Sequence, residues 1–173
     1  MKKTILLLAI AFIALSATAQ TFTASKVDSV AKSKDELYTS SKMFIAQTWK
    51  SAKDVIQMDD KEGGVIVLKG KSVQERAFQL NNHVWIYSYT VTIQIKDNKY
   101  KISVADVNCD RAYCGAYEWP LVPITEPTTY PGKKCAIGED RYNDINESVK
   151  NEMKGIISAY EEFISKKIEL SDF

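Results

Sequence analysis

The chain has 173 residues, 45% of them hydrophobic, with 23 basic and 22 acidic side chains. That length suits one ordinary domain with its own core. A formal charge of +1 offers no basic footprint for nucleic acid and no polybasic patch for a membrane surface.

The N-terminus carries a processing signal. Lys2 and Lys3 precede an apolar run from Ile5 to Ala17, and Ala17-Thr18-Ala19 supplies the small residues a signal peptidase needs. Charged start, short apolar middle and small-residue exit specify a signal peptide over residues 1–19. The run is short against roughly 30 Å of hydrocarbon, and no cysteine follows Ala19 to suggest a lipoprotein. Cleavage between Ala19 and Gln20 gives a periplasmic or secreted chain of about 150 residues, with no stable membrane insertion afterwards. Losing Lys2 and Lys3 takes the formal charge to −1.

Residues 20–32 are polar and read as an N-terminal linker or a short strand around Phe22. Ser33-Lys34-Asp35-Glu36 is a capping box, in which Ser33 and Glu36 satisfy each other's orphan amides. Leu37, Ser41, Phe44, Ile45, Thr48 and Ala52 follow at helical spacing, predicting a helix over 34–53.

Two hairpins come next. With Lys61-Glu62-Gly63 as a three-residue loop, Met58 faces Ile66, Ile56 faces Leu68, Asp59 faces Val65 and Gln57 faces Val67. Gly63 then takes the left-handed position. In the second hairpin an Asp97-Asn98 turn pairs Ile95 with Tyr100, Ile93 with Ile102 and Val91 with Val104. The opposite face pairs Gln94 with Lys101 and Thr92 with Ser103, so one face is covered and the other wetter. Trp85, Tyr87 and Tyr89 continue the covered side.

Residues 111–138 hold all four prolines and two of the three cysteines, the mark of a long excursion. A last helix over 142–167 shows Ile145, Val149, Met153, Ile156, Tyr160, Phe163 and Ile164 on one side. These elements predict an α+β domain over 33–173: two layers, with two helices packed on one face of an antiparallel sheet.

The Ser33–Trp49 helix, the Asp54–Lys71 hairpin and the Tyr89–Val104 hairpin resemble a family of Bacteroidetes secreted proteins. That family is a domain of unknown function with a TATA-binding-protein-like (TBP-like) fold. The likeness spans about Ser33 to Val107, carried by Ser33-Lys-Asp-Glu-Leu-Tyr38, Asp54-Val-Ile-Gln57, Asp59-Asp-Lys-Glu62 and the turn into Tyr100, with a weaker echo at Val122-Pro123-Ile124. It implies a β-α-β4-α layout and a place outside the cytoplasm, and brings no catalytic residue. The Pro- and Cys-rich insertion at 108–138 departs from the pattern.

Candidate chemistry is sparse. Asp59, Asp60 and Glu62 lack the alternate spacing of a calcium loop, and neighbouring strand residues point apart, so a turn accounts for them better than a metal site. No Gly-rich loop leads into a helix N-terminus to cradle phosphate. His83 is the only histidine, and it begins a strand beside no recognisable nucleophile motif. One His and three Cys match no usual zinc spacing. In an oxidising space the cysteines make one disulfide the default. Cys109 with Cys114 is the first candidate pair, and Cys114 with Cys135 the second.

The functional expectation is a non-enzymatic binding or accessory module without a cofactor, taking a protein or glycan ligand. The alternative is an inhibitor or envelope-assembly partner acting by protein contact, with a hydrolase ranked below both. The candidate ligand face is Thr90, Thr92, Gln94, Lys101 and Ser103, with Tyr117 and Trp119 reaching over it to add apolar area.

Overall fold

The computed structural model describes residues 20–78, 81–114, 117–118, 122–126, 128 and 138–166. Residues 1–19, Trp119 and Cys135 lie outside the described residues, and of His83, Cys114 and Tyr117 only the backbone is placed.

In chain order the strands are β1 (Gln20–Thr21) and β2 (Ala24–Ser29), followed by helices α1 (Lys34–Thr48) and α2 (Ala52–Val55). Four strands then run consecutively: β3 (Ile56–Asp60), β4 (Val65–Phe78), β5 (Asn81–Lys96) and β6 (Lys99–Cys114). Short strands β7 (Tyr117–Glu118), β8 (Val122–Pro123) and β9 (Thr125–Glu126) precede the long helix α3 (Glu139–Ser165). The main sheet has the order β2-β6-β5-β4-β3, antiparallel throughout. The β-α-β4-α layout and the α+β class are both present.

Helix α1 begins where the capping box requires. Ser33 Oγ accepts from the Glu36 amide, and the Glu36 carboxylate accepts from the Ser33 amide at 2.7 Å. Leu37, Ser41, Phe44 and Ile45 are buried as the spacing predicts, but α1 ends at Thr48 and a separate turn, α2, follows. Helix α3 buries Ile145, Val149, Met153, Ile157, Tyr160 and Ile164. Phe44 and Tyr100 each meet Tyr160 edge to face at the junction of both helices and the sheet, with centroids 5.2 and 5.1 Å away.

The second hairpin has the expected register throughout, from Lys96 opposite Lys99 to Val91 opposite Val104. Asn98 takes φ 58°, which Asn tolerates better than most residues. The first hairpin differs. Its loop is Lys61–Gly64, so Asp60 faces Val65, Asp59 faces Ile66 and Met58 faces Val67. A bulge at Gln57 then brings Ile56 back opposite Leu68. The left-handed residue is Gly64, φ 68°, not Gly63. Gly63 instead donates its amide to Asp60 Oδ1 at 2.8 Å.

Of the two expectations for residues 20–32, the strand holds and the linker does not. Phe22 is 4% exposed in the core, and β2 forms an edge of the main sheet, from Ala24 opposite Val104 to Ser29 opposite Lys99. The proposed insertion begins inside β6, which continues past residue 108 to Cys114. This also corrects the first disulfide candidate. Cys109 and Cys114 lie five residues apart in one strand, which at about 3.3 Å per residue holds their Cα atoms roughly 16 Å apart. A disulfide needs less than about 7 Å.

Candidate functional site

Both long helices cover one face of the sheet. On that face lie Ile66 and Leu68 of β4, the odd-numbered residues from Trp85 to Ile95 of β5, and Tyr100, Ile102 and Val104 of β6, all buried. The other face carries neither long helix; among the described residues only the single turn α2 borders it, at the β4 edge. Thr92 lies opposite Ser103 and Gln94 opposite Lys101 there, with Thr90 opposite Ala105, so the five predicted strand residues share this face.

The face is not flat. Two bulges interrupt β6 where it passes β5, near Asp106 and at Asp110. At the first, Asp106 takes φ 54°. The added residue switches the strand's parity, so that Val107, like Val104, stays fully buried. Asp106 and Asn108 are left at the rim of a concavity, the kind of re-aiming that bulges produce. Asn108 Nδ2 donates to the Asp106 carbonyl at 2.8 Å, and Ser88 Oγ donates to Asp110 Oδ1 at 2.6 Å.

The resulting cavity has a volume of about 830 Å³. Lys69 and Lys71 of β4 line one side, Ser88 and Thr90 the floor, and Asp106, Asn108 and Asp110 the other side. Asp54 and Val55 of α2 close the β4 end. Two ammonium and three carboxylate groups nearly cancel, leaving a wall rich in donors and acceptors without a strong net field. A shallower hollow of about 360 Å³ includes Gln94, Lys101, Val27 and Val65. Of the predicted ligand residues, Thr90 therefore falls in the larger cavity and Gln94 and Lys101 in the smaller. Thr92 and Ser103 occupy the sheet rows between them. Tyr117 joins β6 through the backbone of β7, opposite Cys114.

Lys69, Lys71, Ser88, Asp106, Asn108 and Asp110 were not among the predicted site residues. The signal for the last three is Asp-Val-Asn-Cys-Asp from 106 to 110. Asp and Asn are poor strand formers, and their recurrence marks a bulged segment.

The acidic loop of the first hairpin has a structural role. Asp59 points to the helix side, where it accepts from the Tyr38 hydroxyl and, at 2.5 Å, from Lys42 Nζ. Those two bonds, Lys42's first, hold its carboxyl below the usual range, while burial and Asp59 push the Tyr38 phenol up to about 12. Asp60 lies on the opposite side, in the turn. Among the described residues, no cluster of three or more His, Cys, Asp or Glu is arranged to hold a metal. His83 sits opposite Arg76 and Cys114 in the sheet.

The sequence profile of one family, a domain of unknown function (DUF4468) with TBP-like fold, matches residues 24–110, half of the chain. The chain belongs to this DUF4468 family. The match spans β2 to the bulged part of β6, and so includes every strand that lines the cavity. Among solved structures, a DUF4468 family protein from Bacteroides ovatus superposes with a TM-score of 0.62 at 13% identity, covering 87% of this chain and 90% of that one. A TBP-like protein from Parabacteroides distasonis gives 0.53 at 16% identity, covering 82% and 93%. At such identities these likenesses establish the TBP-like fold alone. No curated protein matches the chain.

Proposed function

We propose that this DUF4468 chain is a non-enzymatic, secreted or periplasmic binding module whose ligand sits in the cavity on the sheet face turned away from α1 and α3. The observation that carries the reading is the cavity itself: about 830 Å³, within the range of small-molecule sites, with polar side chains converging from three strands. Near-balanced charge favours a neutral, polyhydroxylated ligand such as an oligosaccharide over an anion. Ser88, already committed to Asp110, serves there as a positioned acceptor. The extracytoplasmic assignment rests on the leader at 1–19. Among the described residues, no helix is long and apolar enough to cross a membrane.

A second reading, an inhibitor or envelope-assembly partner working by protein contact, draws on Val27 and Met58. They are 49% and 48% exposed and flank the same face.

An array of neutral oligosaccharides, run beside a pull-down from envelope extract, separates the two. The binding reading expects an array hit whose backbone-amide shift changes fall on residues 69–71, 88–92 and 103–110. Changes confined to the outward faces of α1 and α3 would overturn it. A pull-down partner with no array hit would favour the protein-contact reading.

A further inference from the structure

The strand β3 covers β4 only as far as Leu68, opposite Ile56. From Lys69 to Phe78, β4 pairs with β5 on one side and, among the described residues, with no strand on the other. A strand edge of that length presents a row of backbone donors and acceptors able to add another strand. Its side chains are not those of an edge closed to all partners. Val73, at 54%, is the most exposed large apolar residue described, and it stands at the centre of Lys71-Ser72-Val73-Gln74-Glu75.

That segment is complementary to itself when reversed. In an antiparallel pairing about a twofold axis through Val73, Val73 meets its copy and Lys71 meets Glu75 of the second chain. Glu75 meets the other Lys71, and Ser72 meets Gln74. Lys71, Val73 and Glu75 project to the face away from α1 and α3 because side chains alternate along a strand. The apolar contact and both charge pairs therefore fall on one surface. Ser72 and Gln74 lie on the helix side, held by Glu152 of α3 at 2.6 and 2.8 Å. Those bonds tie the edge to α3.

We infer that two copies of this chain join edge to edge through β4 around Val73, making one sheet that runs through the dimer. The contact is isologous, as a twofold dimer requires. Because Lys71-Ser72-Val73-Gln74-Glu75 is complementary to its own reverse in both charge and apolar contact, the occupant is a second copy. This inference shares Lys71 with the ligand reading but does not rest on it, since Val73 and Glu75 do not line the cavity.

The test is sedimentation equilibrium of the exported chain with charge exchange. Wild type should dimerise. Lys71→Glu and Glu75→Lys should each set like charges opposite one another twice, raising the dissociation constant roughly tenfold or more. The double exchange, Lys71→Glu with Glu75→Lys, should return it to within about threefold of wild type. Val73→Cys should form a reducible dimer, because Cα atoms directly opposite in antiparallel strands lie about 4.5–5.5 Å apart, within disulfide reach. A wild-type monomer at all concentrations overturns the inference. So does a dimer indifferent to the single exchanges, one that the double exchange fails to restore, or one that Val73→Cys does not cross-link.

Discussion

The Ser41 hydroxyl of α1 and the Tyr160 hydroxyl of α3 meet 2.7 Å apart inside the core, where neither residue is exposed. Ser41 Oγ also donates to the Leu37 carbonyl at 2.6 Å, so the Tyr160 hydroxyl is the donor of the pair. Burial pushes the Tyr160 phenol far up, keeping that proton in place. Removing the two partners is therefore not symmetrical. Tyr160→Phe leaves Ser41 bonded to Leu37 and should cost about 1 kcal/mol, whereas Ser41→Ala strands a buried hydroxyl and should cost about 1–3 kcal/mol. Denaturant melts of both variants check the order. A costlier Tyr160→Phe would contradict the assigned direction of the bond.

Asp59 links the first hairpin to α1, and its lowered carboxyl makes the link depend on pH. A carboxyl depressed in the folded state stabilises above its unfolded value, about 4, and that contribution is lost as pH falls through the folded value. Because the Lys42–Asp59 pair is 35% and 40% exposed, screening holds it to a few tenths of a kcal/mol. The stability gap between wild type and Asp59→Asn should be constant from neutral pH to about 5 and shrink below about 4. A gap that widens on acidification would contradict the ion pair.

The two glycines of the first loop should respond differently. At Gly64 a Cβ would lie 2.4 Å from the Ile95 carbonyl oxygen, with φ already at 68°. Neither the backbone nor the angle can give way, so Gly64→Ala should cost about 1 kcal/mol or more. At Gly63 the obstacle is the Asp60 carboxylate, 2.1 Å away, which can swing aside at the loss of its bond to the Gly63 amide. Gly63→Ala should be the milder variant in thermal melts, and the reverse order would contradict the four-residue loop.

Much of this fold can be read in the sequence, and the misses share a cause. The second hairpin is legible because long β-branched alternation and a two-residue turn admit one register. In the first, Gly63 and Gly64 are adjacent, and the bulge at Gln57 absorbs the one-residue difference, so both registers place Ile56 against Leu68. Strand β2 is only half legible, as a strand or a linker, because an edge strand buries little: of its residues only Ala24 is even half-buried. The bulges at Asp106 and Asp110 leave no periodic trace, and with them the cavity's third wall was lost. Lys150 is the opposite case, a charged residue in a core position. It is 1% exposed on α3, bonded to Thr128 at 2.7 Å and Glu147 at 2.9 Å. Helical periodicity alone gives no reason to bury it.

The continuous course of β6 bears on the cysteines. Peptide mapping of exported protein without reductant should find no bridge between Cys109 and Cys114. Finding one would mean that β6 does not run extended through both positions, and would also remove the bulged wall of the cavity.

The ligand reading is tested most directly by placing a bulky cation on the cavity floor. Thr90 is half-buried between Lys69 and Ala105, so Thr90→Arg fills the space without entering the core. Affinity for an array-selected neutral oligosaccharide should fall at least tenfold in Thr90→Arg, about 1.4 kcal/mol. It should fall less in Asn108→Ala, which removes one amide, and stay unchanged in Lys154→Ala on the exposed side of α3. Equal affinity in wild type and Thr90→Arg would contradict the account and move the site off this face.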